Sequence, residues 1–493
     1  MQVLINGQLI KAKKGEVISS FLHIDYPCGG KAKCGKCKVI AKGELSPITQ
    51  REEGFLSKHE IANGIRLACM TAIIGDAEIY TVEANEARIL TEGKAIKYNV
   101  NHSFKKYGIA VDIGTTTVVV GLYSATGELL GKKGELNPQS VYGADVVSRI
   151  EASLSGKKRE LQKLIVDLIE KNTSSLCDKN GISTLDIDGA VLTGNTAMLY
   201  LLTQESVETL ARMPFSLSTQ FGKSISAKDL GFSVLAPNTQ IYIPPCISPF
   251  IGADTVCAMI TTGFWDRNDT FVMIDIGTNG ETVLFKNGKM YACSTAAGPA
   301  FEGVGLSCGM RGEDGAIDHV YFSDGELRLQ TINNKSPRGI CGSGIIDAIA
   351  CLLESGVLDE NGYMDEDVEI ADNIYITKKD IRAVQLAKGA IYAGFTTLLQ
   401  NMNINELEID TFMIAGGFGG YINLENAGKV RLFPSEWVSR AQVLGNAAYS
   451  GAEALLLDEE MRHKCYDIIE NVKVVELSQS PAFIENYTDG MIF

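Results

Sequence analysis

Residues 1–12, MQVLINGQLIKA, alternate apolar and polar positions around an Asn6–Gly7 pair. That is the pattern of a β-hairpin whose tight turn takes left-handed backbone. Residues 77–84, AEIYTVEA, alternate again and predict a closing strand, so residues 1–83 read as a small β-rich module. The following stretch, 84–106, is polar and weakly patterned and is expected to be a linker that lets this module move. A new unit begins at Tyr107 with YGIAVDIGTTTVVVGLYSATGELL, two apolar β-branched runs flanking a glycine turn. Residues 148–176 carry helical periodicity, and DGAVLTGNTAMLYLLT reads as a buried strand running into a loop and a helix. Residues 270–298 repeat the strand, turn, strand, turn, strand order, with Asp275 standing 163 positions after Asp112. Two similar lobes in tandem predict a cleft between them.

Composition narrows the class. A chain of 493 residues exceeds one typical core, so several domains are expected. A formal charge of −15 argues against a nucleic-acid surface, which needs a concentrated positive field. The N-terminus has no basic segment followed by an apolar core, and no apolar run approaches the roughly 20 residues of a membrane span, so a cytoplasmic protein is expected. Twelve cysteines then point to reduced thiols or metal ligands rather than a disulfide framework. Eight of them (Cys177, Cys246, Cys257, Cys293, Cys308, Cys341, Cys351 and Cys465) are scattered singly and are expected as small buried apolar side chains.

The other four are not scattered. In YPCGGKAKCGKCKVI, Cys28, Cys34 and Cys37 follow C-x5-C-x2-C, and 31 residues separate Cys37 from Cys69. Four thiolates also suit zinc, but structural zinc sites usually come as two close C-x2-C pairs. Three ligands on one loop and a distant fourth fit a two-iron cluster, and Gly29, Gly30 and Gly35 allow the backbone to turn amides toward the sulfurs. Residues 1–83 resemble two-iron two-sulfur ferredoxins of the adrenodoxin and putidaredoxin variety, which implies a β-grasp fold. Lys31, Lys33, Lys36 and Lys38 are candidates for a docking patch facing an acidic partner, with a solvated lysine-rich loop as the plain alternative.

The two Asp-Ile-Gly-Thr turns suggest different chemistry. After Asp112, Gly114, Thr115, Thr116 and Thr117 make a tight turn that offers amides and hydroxyls to phosphates, while the carboxylate can bind Mg2+ through water. Asp275, Gly277, Thr278, Asn279 and Gly280 repeat it. A third element, FMIAGGFGGYINLENAGKV, places Gly416, Gly417, Gly419 and Gly420 where backbone would approach an adenosine closely. Because these turns run strand to strand and no helix opens at the glycines, a Rossmann reading fails. The order of elements over residues 107–457 resembles the actin, sugar-kinase and heat-shock-chaperone superfamily, which implies two RNase-H-like lobes binding ATP and Mg2+. Gly342, Ser343 and Gly344 open a helix that either binds phosphate or ribose or is plainly capped. Glu302 and Arg311 near the second turn are candidates for orienting water or touching a γ-phosphate, and Asn195, Thr196 and Asp254 are expected on loops facing the cleft.

An electron carrier fused to a nucleotide-hydrolysing cleft suggests hydrolysis driving an uphill electron transfer. With its N-terminal CGGxxxCGxC module and its DIGTTT, DIGTNG and AGGFGG turns, nearly the whole chain resembles the reductive activators of corrinoid-dependent methyltransferases. The resemblance implies an α/β protein: a ferredoxin domain at 1–83, a linker at 84–106, ATPase lobes at 107–268 and 269–457, and a C-terminal segment, 458–493, packed on the ATPase core. The 84–106 stretch is too short for a separate domain such as longer relatives carry there. The resemblance further implies an enzyme that hydrolyses ATP and passes one electron from a 2Fe–2S cluster to a corrinoid protein, taking Co(II) to Co(I). Asp112, Asp275 and Glu302 would be catalytic, and Cys28, Cys34, Cys37 and Cys69 would hold the cluster. An upstream electron donor and a homodimer belong to the same picture, with neither nucleic acid nor membrane as a partner. Since the five histidines form no clustered metal or haem signature, the corrinoid is expected on the partner. The alternatives are a small-molecule kinase of the same superfamily with a redox-sensing ferredoxin module, and an ATP-binding switch without productive turnover.

Overall fold

The computed structural model describes all residues except 23, 25, 57, 82–92, 94–98 and 324–325. Most of the expected linker, residues 84–92 and 94–98, therefore lies outside the described residues. The chain divides into two compact units, Met1–Asn85 with Asn137–Ile165, and Glu86–Leu136 with Val166–Phe493.

In the first unit, β1 (Gln2–Ile5) and β2 (Gln8–Lys11) form the expected hairpin, with Asn6 and Gly7 at φ 49° and 80°. Three further strands, β3 (Lys38–Leu45), β4 (Ile65–Leu67) and β5 (Ile73–Thr81), complete a sheet of order β2-β1-β5-β3-β4. Only β1 and β5 run parallel, which gives the β-grasp arrangement. Alternate residues of β5 (Ile73, Ala77, Ile79) face a core with Val3, Ile18 and Val39. Within that core Glu52 is fully buried, accepting from Arg66 Nε and Nη2 at 3.0 Å each, from the Leu67 amide at 2.9 Å and from Thr71 Oγ1 at 3.2 Å. Burial alone would raise its pKa, but these donors, Arg66 foremost, hold it below the usual carboxylate range. The network ties β4 to the turn that carries Cys69.

The second unit contains two sheets of matching plan. In the first, β6 (Tyr107–Ile113), β7 (Thr117–Ser124) and β8 (Leu129–Leu136) form an antiparallel meander. Then β9 (Ile187–Gly194) joins β6 in parallel, followed by β10 (Lys223–Ser226) and β11 (Gln240–Ile243), in the order β10-β11-β9-β6-β7-β8. In the second, β12 (Phe271–Ile276), β13 (Gly280–Lys286) and β14 (Lys289–Thr295) repeat the meander. Two small sheets intervene, one of β15 (Ala316–Ser323), β16 (Glu326–Thr331) and β17 (Gly339–Ile340), the other of β18 (Val368–Ala371) and β19 (Ile374–Ile376). Then β20 (Thr411–Ala415), β21 (Ala441–Gly445) and β22 (Val472–Val474) close the second main sheet as β21-β20-β12-β13-β14-β22. Strands β6 and β12 are near-continuous apolar runs because both faces of each are covered.

Helices Ala253–Thr262 and Ala447–Leu457 pack against each other, one after each parallel part of the two sheets. At their crossing Gly451 is required, since a Cβ there would lie 2.0 Å from the Cys257 carbonyl oxygen. The crossing matters for function, as each helix starts at the cleft, with Asp254 in the first turn of one and Asn446 capping the other. At the C-terminus, helix Pro481–Gly490 packs on helix Lys378–Met402, whose buried Lys388 donates to the Gly490 and Ile492 carbonyls at 2.6 Å each. Of the eight scattered cysteines, seven are buried as expected, and Cys308 is half-buried. Among the described residues no helix is long and apolar enough to cross a membrane.

Candidate functional site

Two sites emerge, one in each unit. In the first, the Cys28–Cys37 loop turns through Gly29, Gly30, Ala32 and Gly35, at φ 59°, 73°, 56° and 65°. At Gly35 a side chain is also excluded by space, because a Cβ would lie 2.8 Å from Phe55. These turns direct amides inward: the Lys33 N–H donates to Cys28 Sγ at 3.5 Å, and amides of Lys31 and Cys34 add to it. Burial would raise the Cys28 thiol, yet the amides outweigh it and lower its pKa. Cys37 donates to Cys69 Sγ at 3.2 Å, which holds Cys69 down at about 7 and pushes Cys37 up. Cys28 and Cys34 are likewise hydrogen-bonded to each other.

The four thiols thus stand as two pairs, Cys28 with Cys34 and Cys37 with Cys69. Among the described residues no three or more Cys, His, Asp or Glu side chains converge on a point suited to one metal ion. Two pairs of thiols suit two irons, each taking two thiolates. The inward amides supply the hydrogen bonds that an anionic cluster needs, so these residues fit a 2Fe–2S group. Of the loop lysines, Lys31 is paired with Glu151 at 2.6 Å and Lys38 with Glu60 at 2.5 Å.

The second site is a cavity of about 290 Å3 in the second unit. Asp112, Gly114, Thr115, Thr116 and Thr117 line it from the β6–β7 turn, and Asp275, Gly277, Thr278 and Asn279 from the β12–β13 turn. Glu302, Arg311, Gly342, Ser343, Gly416, Gly417, Asn195 and Asp254 line it as well. Glu302 bridges the two turns: Thr116 Oγ1 donates to its Oε2 at 2.7 Å and Thr278 Oγ1 to its Oε1 at 2.5 Å. Asn195 Nδ2 donates to Thr115 Oγ1 at 2.8 Å. Helix Gly342–Glu354 begins at the cavity, which Gly342 and Ser343 line, and the Cys341 thiol takes hydrogen bonds from the Ser343 and Gly344 amides of its first turn. Gly416 has φ 92°, and a Cβ there would lie 2.4 Å from Asp275 Oδ1.

Four of the expected nucleotide glycines do not line the cavity: Gly280, Gly344, Gly419 and Gly420. Three of these make close packing contacts instead. A Cβ on Gly280 would meet Thr295 Oγ1 at 2.8 Å, on Gly344 the Ile317 carbonyl at 2.2 Å, and on Gly419 the Ile414 side chain at 2.5 Å. Thr196 also turns away, buried with its hydroxyl on the Ser248 carbonyl at 2.8 Å. The lining also includes residues outside the expected set, Asn446 and Glu281 among them. Asn446 hydrogen-bonds Asp112, and Glu281, paired in register with Asp275, accepts from Ser294 Oγ at 3.0 Å. The signal for Glu281 was a lone acidic residue opening an otherwise apolar strand.

The cavity concentrates negative charge. Burial, then the neighbouring Asp254, raises Asp112 from 3.8 to about 7, and the same two causes raise Asp275 to about 7. Burial raises Asp254 to about 6, and burial with Asp254 and Asp275 pushes Glu281 well up. Mg2+ is a hard cation that keeps several waters and takes one or two carboxylates with phosphate oxygens, and Asp112 and Asp275 are the carboxylates that the two turns bring to the cavity. A pH dependence follows. Asp112, Asp254 and Asp275 bind protons more tightly folded than unfolded, so their contribution to stability is full at low pH and lost as pH rises through about 6 to 7. In EDTA the Tm is expected to fall between about pH 5 and pH 7.5, and Mg-nucleotide to flatten the fall. Thermal melts across that range check it, and a flat profile in EDTA would contradict the assignment.

Family models cover the regions that carry both sites. Residues 13–73 match the family model for a 2Fe–2S iron–sulfur cluster binding domain, 107–267 that for the RACo middle region, and 269–493 that for the C-terminal domain of RACo, the ASKHA domain. The corrinoid activation enzyme RamQ of Eubacterium limosum is 34% identical over 453 residues, covering 85% of this chain and 76% of RamQ. The chain belongs to the family of corrinoid-protein reductive activators. A second member of this activator family, the Co(II) methylated-amine-specific corrinoid protein reductase of Methanosarcina barkeri, is 24% identical over 75% of this chain and 73% of its own. The solved structure of a reductive activator for a corrinoid, iron–sulfur protein superposes with a TM-score of 0.71 at 26% identity, covering 100% of this chain and 98% of that one. The activator fold is therefore an N-terminal β-grasp ferredoxin domain followed by two RNase-H-like lobes, and the family's middle region corresponds here to the first lobe.

Proposed function

We propose that this protein reduces the cobalt of a partner corrinoid protein from Co(II) to Co(I), one electron at a time, in a reaction driven by ATP hydrolysis. The observation that carries this reading is the joining in one chain of a four-thiolate loop grouped for two irons and a cleft built from two phosphate turns bridged by Glu302. The 2Fe–2S cluster supplies one-electron storage and transfer. Cys28, Cys34, Cys37 and Cys69 hold it, and the loop amides stabilise its negative charge.

In the cleft, Thr115, Thr116 and Thr278 would exchange their side-chain hydrogen bonds for phosphate oxygens, with Thr117 beside them, and Asp112 and Asp275 would hold Mg2+, which would neutralise phosphate charge. Glu302, released from the two threonines, then orients the attacking water. Because Glu302 joins turns of both lobes through Thr116 and Thr278, nucleotide binding to those hydroxyls would replace one link between the lobes with another. Differential binding of that kind is what coupling requires. Each 59 mV in a one-electron step is worth ~1.4 kcal/mol, so a deficit of roughly a few hundred millivolts is within the reach of one or two ATP. An upstream one-electron donor refills the cluster, and the cytoplasm is the compartment that keeps twelve free cysteines reduced.

The test is the cob(II)alamin to cob(I)alamin absorbance change of a corrinoid protein, recorded anaerobically with reductant, with and without Mg-ATP. ATP-dependent cob(I)alamin is expected. No change across a panel of corrinoid proteins, with cluster and nucleotide both bound, would move the reading to a redox-sensing kinase or an ATP switch.

A further inference from the structure

The cluster loop is not enclosed by the N-terminal module alone. Residues Asn137–Lys157, which leave the end of β8, belong to the same compact unit as the module and lie against this loop. The Ala144 amide donates to the Pro27 carbonyl, one residue before Cys28, at 3.1 Å. The Tyr142 carbonyl stands 3.0 Å from where a Cβ on Gly29 would be, and Val141 packs on the module's core. Glu151 pairs with Lys31 at 2.6 Å. The segment is itself built to hold its shape. Fully buried Arg149 donates to the Gly143 carbonyl at 3.0 Å and to Gln139 Oε1 at 3.4 Å, and Gln139 Nε2 donates to the Leu161 carbonyl at 2.9 Å. Surface loops do not ordinarily bury an arginine in order to brace a turn.

Its attachment gives the segment a second role. Asn137 directly follows Leu136, and Leu136 both lines the nucleotide cavity and pairs with Thr117 of the first phosphate turn. A displacement of Thr117 by a bound phosphate therefore acts on the strand end from which the segment starts. At its other end the segment fixes the Cys28 turn, whose Lys33 N–H is directed at Cys28 Sγ. Hydrogen bonds to cluster sulfurs and exclusion of water are main determinants of a cluster's reduction equilibrium.

We propose that Asn137–Lys157 is a strap of positioning residues for the cluster, which makes the cluster's reduction equilibrium depend on nucleotide occupancy of the first phosphate turn. This deepens the reading above and rests on it for the presence of both cofactors. The redox event is one electron entering the oxidised cluster from a mediator dye, without corrinoid. The strap changes the position of that equilibrium and not its stoichiometry.

The experiment is an anaerobic dye-mediated titration of the full-length, cluster-loaded protein, with the reduced cluster counted by electron paramagnetic resonance, with no nucleotide and with a Mg-bound non-hydrolysable ATP analogue. In the wild type the analogue is expected to move the reduction equilibrium by about threefold or more. In Ala144→Pro, which removes the N–H donated to Pro27, the analogue should still bind but that shift should largely vanish. Glu151→Lys, a surface change that repels Lys31, should reduce the shift and serves as the readout if Ala144→Pro loses its cluster. Double replacement with Lys31→Glu should restore it. An unchanged shift in the variants, or no shift in a wild type holding both cofactors, overturns the strap. A wild type that fails to hold a cluster or the analogue overturns instead the functional reading on which it rests.

Discussion

Asp275→Ala is expected to lower ATP-dependent cob(I)alamin formation by at least ~100-fold, about 2.7 kcal/mol in the barrier, while leaving the cluster's spectrum unchanged. Asp275 lies at the end of β12 next to Ile276 and lines the cavity, with Gly416 packed close to its Oδ1. Burial and Asp254 raise its pKa to about 7, so a bound cation would be what favours its ionised form. A residue kept for stability would behave in the opposite way. Removing this carboxylate relieves repulsion among Asp112, Asp254 and Glu281, so the metal-free variant should melt no lower than wild type near pH 7.5, apart from a small cavity cost. Cobalt absorbance and thermal melts on one preparation check both halves, and activity lost together with a large fall in Tm would assign Asp275 to folding.

Cys34→Ser is expected to remove cob(I)alamin formation to background and to leave nucleotide binding within about twofold of wild type. A serine hydroxyl is a far weaker iron ligand than a thiolate, and Cys34 pairs with the Cys28 thiol while also accepting from the Lys36 amide. With that pair broken the first iron lacks a ligand, whereas Cys37 and Cys69 remain beside each other. The nucleotide cavity is lined wholly by residues of the other unit and keeps its own core. Visible absorbance and electron paramagnetic resonance report the cluster, and calorimetric titration reports the nucleotide. Retention of cob(I)alamin formation without a cluster would remove the ferredoxin module from the electron path.

What could be read in the chain was whatever neighbours in sequence decide. The Asn6–Gly7 turn, the C-x5-C-x2-C loop and the duplicated Asp-Ile-Gly-Thr hairpins depend on backbone freedom and side-chain type over a few residues, and each forms where the pattern placed it. Three of the four cysteines share one loop, so their grouping was a local feature too, while Cys69 joins them only through the fold.

Roles that depend on distant partners were not legible. Glycine spacing could not separate Gly416, against Asp275 in the cavity, from Gly419, packed under Ile414, since glycine serves a ligand and a close helix or strand equally well. Glu302 was picked out, but its bridge is closed by Thr116, 186 positions away, and Thr278, 24 positions away. Glu281, the Glu52–Arg66 network and the strap beneath Cys28 gave weaker signals still. The sequence by itself determined which local turns and ligands exist, because their geometry is short-range. Only the tertiary structure decided which carboxylates share a cavity and which segment braces the cluster loop, because burial and electrostatic pairing arise between chains of residues that meet only on folding.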